Sequence, residues 1–305
     1  MSVDNGTFSH REGRTLMLLP HPPENSQGPS AKSSGEVFYN PAMAGSRTRS
    51  VLLFRHAIEE GMLGDGPVYA LDGLTASGLR ARRWLNELPY GMSSRISATI
   101  VDLEKEALDW ARSSHREFPP SDGGGDLQTL QGDLRTAVLS SGRHWIDIDP
   151  YGSPVPFIDS AMQSMARSGV MEVSATDTAA LTGSSKTALM RRYGARVRTD
   201  CLAHDSGMRV MLSNISRIAA RHDRTIEPLL SIWDSHHLRV SFRVMKSVSS
   251  ANIMEDRIGW RVFAPRKEEV AASIDYKLQV ESGGDALPMH CICLLYTSPS
   301  PRDRG

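Results

Sequence analysis

The chain of 305 residues is 40% hydrophobic and 23% charged, which is typical of a globular protein with one large domain and a smaller second one. Its 35 basic and 35 acidic residues cancel, so net charge does not indicate a nucleic-acid binder, although a local basic patch is compatible with it. The three cysteines form no disulfide framework, the first residues lack the apolar core of a signal peptide, and no apolar run reaches the ~20 residues that span a bilayer. We therefore expect a cytoplasmic protein that has no membrane partner.

The first predicted elements lie on either side of a long polar segment. RTLMLLP at 14–20 predicts a short strand, and residues 21–36, which are rich in Pro, Ser and Gly, predict a loop. The next run, FYNPAMAGSRTRSVLLFRHAI, begins with an Asn-Pro turn and continues with the apolar spacing of a helix.

Strands and helices then alternate along the chain. The predicted strands are 68–74, 96–103, 127–133, 144–149 and 170–177. The predicted helices are 77–88, 104–115, 134–141, 156–169, 186–194 and 206–223. This order predicts an α/β fold with a doubly wound, mostly parallel sheet. Residues 225–244 alternate like strands, and the mixed short strands after 244 indicate a partial α+β second domain.

Small residues crowd the turn that follows the first of these strands, LDGLTASGLR at 71–80. Gly73 and Gly78 stand five positions apart, so the turn is not the dinucleotide fingerprint, and no Gly-Lys-Ser/Thr follows to make a P-loop. Two interpretations stay open. Either a nucleotide-like ligand approaches the backbone at the helix N-terminus, or the glycines are needed only for packing.

Acidic residues end successive strands. Asp102 closes the second strand, where it could bond ribose hydroxyls or cap the next helix. Asp133 closes the third, where it could accept a bond from an adenine amino group or act as another cap. Together with the fourth strand's WIDIDPYGSP, these acids indicate a site for a nucleoside cofactor. The missing dinucleotide fingerprint disfavours NAD, and the order of motifs favours an S-adenosylmethionine methyltransferase.

Asp149-Pro150-Tyr151 is similar to the Asp/Asn-Pro-Pro-aromatic signature of enzymes that methylate exocyclic amino groups of bases. Such a nitrogen is a poor nucleophile because its lone pair is delocalised into the ring. Asp149 and the Pro150 carbonyl could accept its two N–H bonds, and Tyr151 could stack on the base, so positioning and electrostatics would supply most of the rate. The simpler alternative is an Asp at an ordinary strand-to-turn exit.

At this point the chain resembles a known family. FYNPAMAGSR, LDGLTASGLR, WIDIDPYGSP, VSATDTAALTG and AHDSGMR are similar to segments of the tRNA (guanine-26, N2)-dimethyltransferase family, over residues 11–243. The resemblance implies a class I, Rossmann-like methyltransferase domain and a C-terminal domain that helps to hold tRNA. It also implies S-adenosylmethionine as donor and transfer of one or two methyl groups to the N2 of a guanine.

The resemblance implies roles for individual residues. The residues implied to contact the cofactor are Arg47, Asp72, Leu74, Thr75, Gly78, Arg80, Asp102 and Asp133. The residues implied to take part in the reaction are Asp149, Pro150 and Tyr151. Within the first group, Arg47 should face the carboxylate end of the cofactor, Asp102 the ribose and Asp133 the adenine.

On the substrate side, Asp177 lies in the matching ATD loop, which should border the target base. Thr178 stands where the family has a small glycine, and Thr182 where it often has cysteine, so both bear on pocket width. Arg191 and Arg192 belong to an arginine cluster that could meet phosphates or could simply form a solvated helix face. Cys291 and Cys293 supply only half of a tetrahedral ligand set, so we predict no metal site.

The predicted domains are an N-terminal strand and loop at 1–36, the methyltransferase domain at 37–228, a partial tRNA-binding domain at 229–290 and a foreign-looking tail at 291–305. We expect the C-terminal domain to be truncated, and a native disordered tail is the alternative for the last segment. The expected protein is a monomer that acts on tRNA without an obligate protein partner. The alternatives are a related methyltransferase of adenine N6 or ribosomal-RNA guanine N2, and a catalytically inactive tRNA-binding protein.

Overall fold

The computed structural model describes residues 2–3, 7–20, 37–120, 124–263, 270–274 and 285–292, with side chains at 7–20, 37–120 and 124–259. The chain divides into two compact units, Met1–Asp149 with Gln163–Glu172, and Pro150–Met162 with Val173–Gly305. The predicted loop 21–36 and all but the first two residues of the predicted tail lie outside the described residues.

An antiparallel sheet of three strands begins the first unit. It contains β1 Ser2–Val3, β2 Thr7–Glu12 and β3 Thr15–Leu19, in that order. Strand β3 confirms the strand predicted at 14–20. Strand β2 was not predicted, because its sequence TFSHRE is mostly polar and has no apolar alternation.

The main sheet of the first unit has the strand order β6-β5-β4-β7-β8, and the pairs β4–β5, β4–β7 and β5–β6 are parallel. Its strands are β4 Val68–Gly73, β5 Ile96–Asp102, β6 Asp126–Gln131, β7 Arg143–Ile148 and β8 Met165–Ala175. The helices are α1 Ala44–Glu59, α2 Leu79–Glu87, α3 Tyr90–Ser93, α4 Lys105–Glu117 and α5 Leu134–Ala137. Short 3-10 helices occupy Pro41–Met43 and Val138–Ser140. The predicted alternation of strands and helices is confirmed.

The register aligns the carboxyl ends of three parallel strands. Asp72 of β4 pairs with Ile100 of β5 on one side and with Asp147 of β7 on the other. The residues that follow these strands therefore meet at one edge of the sheet, where open α/β sheets bind ligands. Behind that edge lies an aromatic core in which the Phe54 and Trp145 rings stack with centroids 4.2 Å apart.

The second unit contains the last residues of β8, with the strand order β8-β10-β9. Its other elements are α6 Val155–Ser164, α7 Thr178–Leu181, α8 Lys186–Tyr193, α9 Ala203–Arg221, β9 Arg224–Asp234, β10 His237–Lys246 and α10 Val248–Asn252, with a 3-10 helix at Glu255–Arg257. Strands β11 Ile258–Phe263, β12 Val270–Ile274 and β13 Asp285–Ile292 form a further antiparallel sheet in the order β12-β11-β13. Among the described residues, no helix is both long and apolar enough to cross a membrane.

The largest differences from the predicted boundaries lie between α6 and β8. The helix predicted at 156–169 ends at Ser164, and β8 begins at Met165 rather than at 170. Gly169 explains the difference, since a Cβ there would lie 2.5 Å from the backbone oxygen of His144, so the glycine lets this segment approach β7 as a strand. The proposed domain boundary at 228/229 falls inside β9, and the domain division remains a prediction.

A buried ion-pair network attaches β2 to α1 and α2. Glu12 accepts hydrogen bonds from Arg47 (Nε–Oε1 2.7 Å), Arg83 (Nη1–Oε1 2.9 Å) and the Tyr39 hydroxyl (2.9 Å). Burial by itself raises the pKa of Glu12. The hydrogen bonds and charge of Arg47 outweigh burial, with help from Tyr39 and Arg83, and hold that pKa below its usual value.

Removing the Glu12 charge leaves two buried guanidinium groups without their shared partner. We expect Glu12→Gln to lower the free energy of unfolding by about 3–5 kcal/mol, measured by urea unfolding at pH 7. The control is Glu59→Gln, which breaks an exposed pair with Arg55 (2.8 Å) and should cost less than about 1 kcal/mol. Equal effects of the two substitutions would contradict this role of Glu12.

The pH dependence has a defined sign because the folded-state pKa of Glu12 is lowered. Its stabilisation is fully present above the unfolded-state pKa of about 4.3 and is lost as pH falls through the folded-state value. The stability gap between the parent protein and Glu12→Gln should therefore shrink once the pH falls below about 4. An unchanged gap between pH 7 and the acid-unfolding limit would contradict the assignment.

Candidate functional site

The loop between β4 and α2 contains residues whose backbone has the left-handed conformation. Leu74 and Ala76 have φ angles of 61° and 49°, and Gly78, the N-cap of α2, has a φ of 67°. Non-glycine residues at positive φ are uncommon, and they cluster at binding and catalytic loops. The predicted cofactor loop is therefore the conformationally unusual part of this edge of the sheet.

Both glycines of this loop are required by packing. A Cβ on Gly73 would lie 2.7 Å from Leu134 Cδ2 and 3.0 Å from the Asp147 carbonyl oxygen. A Cβ on Gly78 would lie 2.6 Å from the Cβ of Ala111. Of the two interpretations left open by the sequence, close packing is the one that these distances support.

The buried Asp72 carboxyl is hydrogen-bonded to the loop that follows β4 and to the start of α2. Its Oδ2 accepts bonds from the Thr75 hydroxyl (2.6 Å) and, at 3.3 Å, from the Ala81 amide. Complete burial raises the pKa of this carboxyl, against the opposing effect of the nearby Arg80 charge. The predicted residues Asp72 and Thr75 thus contact each other, and their proposed contacts with a cofactor remain a prediction.

Asp102 connects two of the loops at this edge. One carboxylate oxygen accepts from the Ala76 amide (2.9 Å) and the other from the Glu104 amide (3.0 Å). The loop after β4 is therefore tied to the turn after β5. Its predicted role at a ribose remains untested.

Arg80 connects the start of α2 to the carboxyl end of β7. Its Nη2 lies 2.6 Å from Asp149 Oδ2, and its Nε lies 3.5 Å from Asp147 Oδ1. The guanidinium is buried, and its Nη1 has no hydrogen-bond partner within the described part of the chain. The Asp149 side chain keeps 19% exposure, so the carboxylate that precedes Pro150 contacts the first turn of α2 and is partly open to solvent.

Two predicted cofactor residues are engaged elsewhere. Arg47 belongs to the Glu12 network described above and also lies over the Tyr39 ring, 5.2 Å from its centroid. Asp133 caps α5 by accepting from the Arg135 amide (2.8 Å), and its bonds to Arg135 lower its pKa to about 2. Asp133 thus shows the capping role that the sequence left open. The cofactor roles of both residues stay predictions.

In the second unit, residues 150–154 form the turn after Asp149. Tyr151 is 67% exposed, so its ring is accessible for stacking. The Gly152 amide donates to the Thr176 hydroxyl (2.7 Å), and the Thr176 amide donates to the Gly152 carbonyl (3.0 Å). The backbone of this turn is thus held from the end of β8.

A second set of contacts joins the same turn to α8. The Ser153 hydroxyl donates to the Tyr193 hydroxyl (2.9 Å), which donates to Asp177 Oδ1 (2.8 Å). Arg192 donates to Asp177 Oδ2 at 2.9 Å. Sequence reasoning named Asp177 and Arg192 but missed Ser153 and Tyr193. A partner 40 positions away leaves no local pattern, and the only signal for Ser153 was its place in the quoted motif.

The remaining predicted substrate residues lie close by in the chain. Thr178 begins α7, and its carbonyl accepts from the Thr182 hydroxyl (2.8 Å). Arg191 is exposed at the end of α8. No group of acidic, histidine or cysteine residues suited to hold a metal ion occurs among the described residues.

Comparison with known proteins agrees with this architecture. A family model for N2,N2-dimethylguanosine tRNA methyltransferases, TRM, matches residues 22–281 of the chain. The chain is 31% identical over 250 residues to the tRNA (guanine(26)-N(2))-dimethyltransferase of Thermoplasma volcanium, covering 82% of this chain and 66% of the relative. It is 32% identical over 247 residues to the protein of the same name from Pyrobaculum calidifontis, covering 81% and 65%.

Among solved structures, that of Trm1 from Pyrococcus horikoshii in complex with S-adenosyl-L-methionine has a TM-score of 0.75 at 24% identity, covering 93% of this chain and 73% of that one. The fold is that of the class I, Rossmann-like methyltransferases, with additional C-terminal sheet elements, as predicted. The chain belongs to the N2,N2-dimethylguanosine tRNA methyltransferase family, which confirms the resemblance found in the sequence. It spans just under two thirds of the length of the two curated relatives, 66% and 65%.

The packing role of Gly78 gives a prediction. Gly78→Ala should destabilise the fold, by about 1–2 kcal/mol for the left-handed backbone and about 1–3 kcal/mol for the contact with Ala111. Thermal or urea unfolding measures the effect. The control is Gly91→Ala in α3, where an added Cβ meets nothing within 4 Å and the change should be neutral or slightly stabilising. Equal stability of the two variants would contradict the packing argument.

Proposed function

We propose that this chain is an S-adenosylmethionine-dependent methyltransferase that adds one or two methyl groups to the exocyclic N2 of guanine 26 in tRNA. Family membership and the names of the relatives support the substrate. The single observation that carries the proposal is the 2.6 Å contact between Arg80 and Asp149, because it joins the carboxylate that precedes Pro150 to the first turn of α2, directly after the loop that follows β4.

The residues at the edge of the sheet fit a donor of this kind. Asp72, Asp147 and Asp149 supply three carboxyl groups around the one guanidinium of Arg80, which favours a cationic ligand. The buried Nη1 of Arg80 lacks a hydrogen-bond partner in the described residues and suits the carboxylate of the donor's methionine part. We assign the ribose hydroxyls to Asp102, which ends β5. When bound, the donor supplies an electrophilic methyl group carried on a sulfonium.

The chain's own residues act on the nitrogen that accepts the methyl group. Asp149 accepts one N–H of the guanine amino group, and the Pro150 carbonyl accepts the other. This pair of bonds favours a pyramidal nitrogen, whose lone pair is no longer delocalised into the ring, and Asp149 takes the proton after methylation. The exposed ring of Tyr151 stacks on the base and holds it in place.

Exposed basic residues support RNA as the substrate. No acidic residue occurs from 178 to 199, whereas this segment contains Lys186, Arg191, Arg192, Arg196 and Arg198. All five are exposed, so this surface is suited to backbone phosphates although the chain as a whole is neutral. Thr178 and Thr182 begin this segment, and their side chains bear on whether the pocket admits a base that already carries one methyl group.

The proposal also covers location and assembly. We place the protein in the cytoplasm, as its low cysteine content suggests, and we propose that it acts as a monomer on tRNA.

The proposed proton acceptor gives a direct test. Asp149→Asn should reduce the single-turnover rate of methyl transfer about 10²- to 10⁴-fold, the usual contribution of a general base. Calorimetry should find only a small loss of affinity for S-adenosylmethionine, because Asp147 still pairs with Arg80. The control is Asp102→Ala, which should weaken cofactor binding. Normal methyl transfer by Asp149→Asn would contradict the assignment.

The position of the target base is tested with tRNA transcripts. A transcript in which guanine 26 is replaced by adenine should take up no methyl groups, while the parent transcript takes up one or two. Undiminished uptake by the replaced transcript would favour a related base-amino methyltransferase, and cofactor binding without uptake by either transcript would favour an inactive RNA-binding protein.

A further inference from the structure

We propose that Tyr193 is a positioning residue for the turn at 150–154, and that Asp177 acts through Tyr193 rather than by touching the target base. This inference rests on the proposed function, since the turn carries Pro150 and Tyr151 directly after Asp149. It deepens that function by giving roles to Tyr193 and to Ser153, to which the sequence analysis assigned none.

The contacts form a directed chain of hydrogen bonds. The Ser153 hydroxyl donates to Tyr193 at 2.9 Å, and the Tyr193 hydroxyl donates to Asp177 at 2.8 Å. The Tyr193 side chain is buried, and burial together with the neighbouring Asp177 charge raises the pKa of its hydroxyl above the usual value of about 10. The hydroxyl is therefore protonated at physiological pH, as its hydrogen bond to Asp177 requires.

The Asp177 carboxylate is bonded to protein groups through both of its oxygens. Oδ1 accepts from Tyr193, Oδ2 accepts from Arg192 at 2.9 Å, and the side chain is only 7% exposed. Its geometry is that of an acceptor which orients Tyr193. Its oxygens have lone pairs left, but the low exposure of the side chain restricts the access of a base to them.

The turn is also held at the preceding residue. Gly152 and Thr176 exchange two hydrogen bonds, 2.7 Å from the Gly152 amide to the Thr176 hydroxyl and 3.0 Å from the Thr176 amide to the Gly152 carbonyl. Two consecutive residues of the turn are thus fixed, while the ring of Tyr151 just before them is 67% exposed. A rigid backbone with an exposed ring is the arrangement expected of a preorganised base-stacking position.

The alternative is that Tyr193 merely stabilises α8. The two roles differ in what they change. A purely structural role lowers stability, whereas a positioning role slows the chemical step while cofactor affinity and stability remain, because a displacement of about 1 Å near the reacting atoms costs on the order of 10²-fold in rate.

The experiment compares Tyr193→Phe with the parent protein. Removing only the hydroxyl should lower the single-turnover rate of methyl transfer to a guanine-26 tRNA transcript at least about tenfold. The KM for the transcript, the cofactor Kd from calorimetry and the Tm should stay close to the parent values. An unchanged rate, or a Tm that falls in proportion to the loss of rate, would overturn the proposal.

Substitutions at Asp177 separate the two roles of that residue. Asp177→Asn keeps an oxygen that accepts from Tyr193 and should retain most of the rate, whereas Asp177→Ala should behave like Tyr193→Phe. A double variant of Tyr193→Phe and Ser153→Ala should be no slower than the slower single variant, because both changes break the same chain of bonds. Equal loss in Asp177→Asn and Asp177→Ala would instead assign Asp177 a charge-dependent contact with the substrate.

A readout that needs no activity separates this proposal from the proposed function. Hydrogen exchange of the peptide covering 150–154 should accelerate in Tyr193→Phe, while the peptide covering β4 should keep its protection. If the parent protein transfers no methyl group, the proposed function fails, and the exchange result alone decides whether Tyr193 holds the turn. Unchanged exchange at 150–154 would overturn the positioning claim.

Discussion

The ion pair between Arg80 and Asp149, with 2.6 Å between Nη2 and Oδ2, joins the first turn of α2 to the end of β7. Around it, the parallel register brings Asp72 beside Asp147. Burying this guanidinium is costly, and the cost is offset by the carboxylates of Asp147 in β7 and Asp149 directly after it. The Nη1 of Arg80 is left for a further acceptor. The electrostatics of the whole edge therefore depend on Arg80.

The turn that follows Asp149 is held by a different kind of interaction. Neutral hydrogen bonds that Gly152 donates to Thr176 and Ser153 donates to Tyr193 fix this turn, and Tyr151 remains exposed. The ion pair with Arg80 neutralises part of the charge of the Asp149 carboxylate. Directional hydrogen bonds fix the backbone conformation of the turn that follows it. The proposed reaction would use both interactions, since it depends on orienting a weakly nucleophilic nitrogen rather than on a covalent intermediate.

Much of this architecture was predictable from the sequence. The parallel strands and their helices follow from apolar runs bounded by Gly, Asp and Pro, and the acids at the strand ends were located correctly. The start of β8 was not predictable, because it depends on the close approach of Gly169 to β7. Neither were Arg47 as a partner of Glu12 and Tyr193 as the partner of Ser153, which lie 35 and 40 positions away and leave no periodic pattern. A single sequence locates the chemical groups but does not reveal which distant side chain orients each of them.

The most direct test of the central claim is a double-mutant cycle between Arg80 and Asp149, measured as single-turnover methyl transfer at saturating cofactor. The cycle combines Arg80→Lys, which keeps the charge and loses the forked geometry, with Asp149→Asn, which removes the charge of the carboxylate. If Arg80 acts by holding the Asp149 carboxylate, the double variant is no slower than the slower single variant. If the two losses multiply, the residues act independently, and the account of this site is wrong.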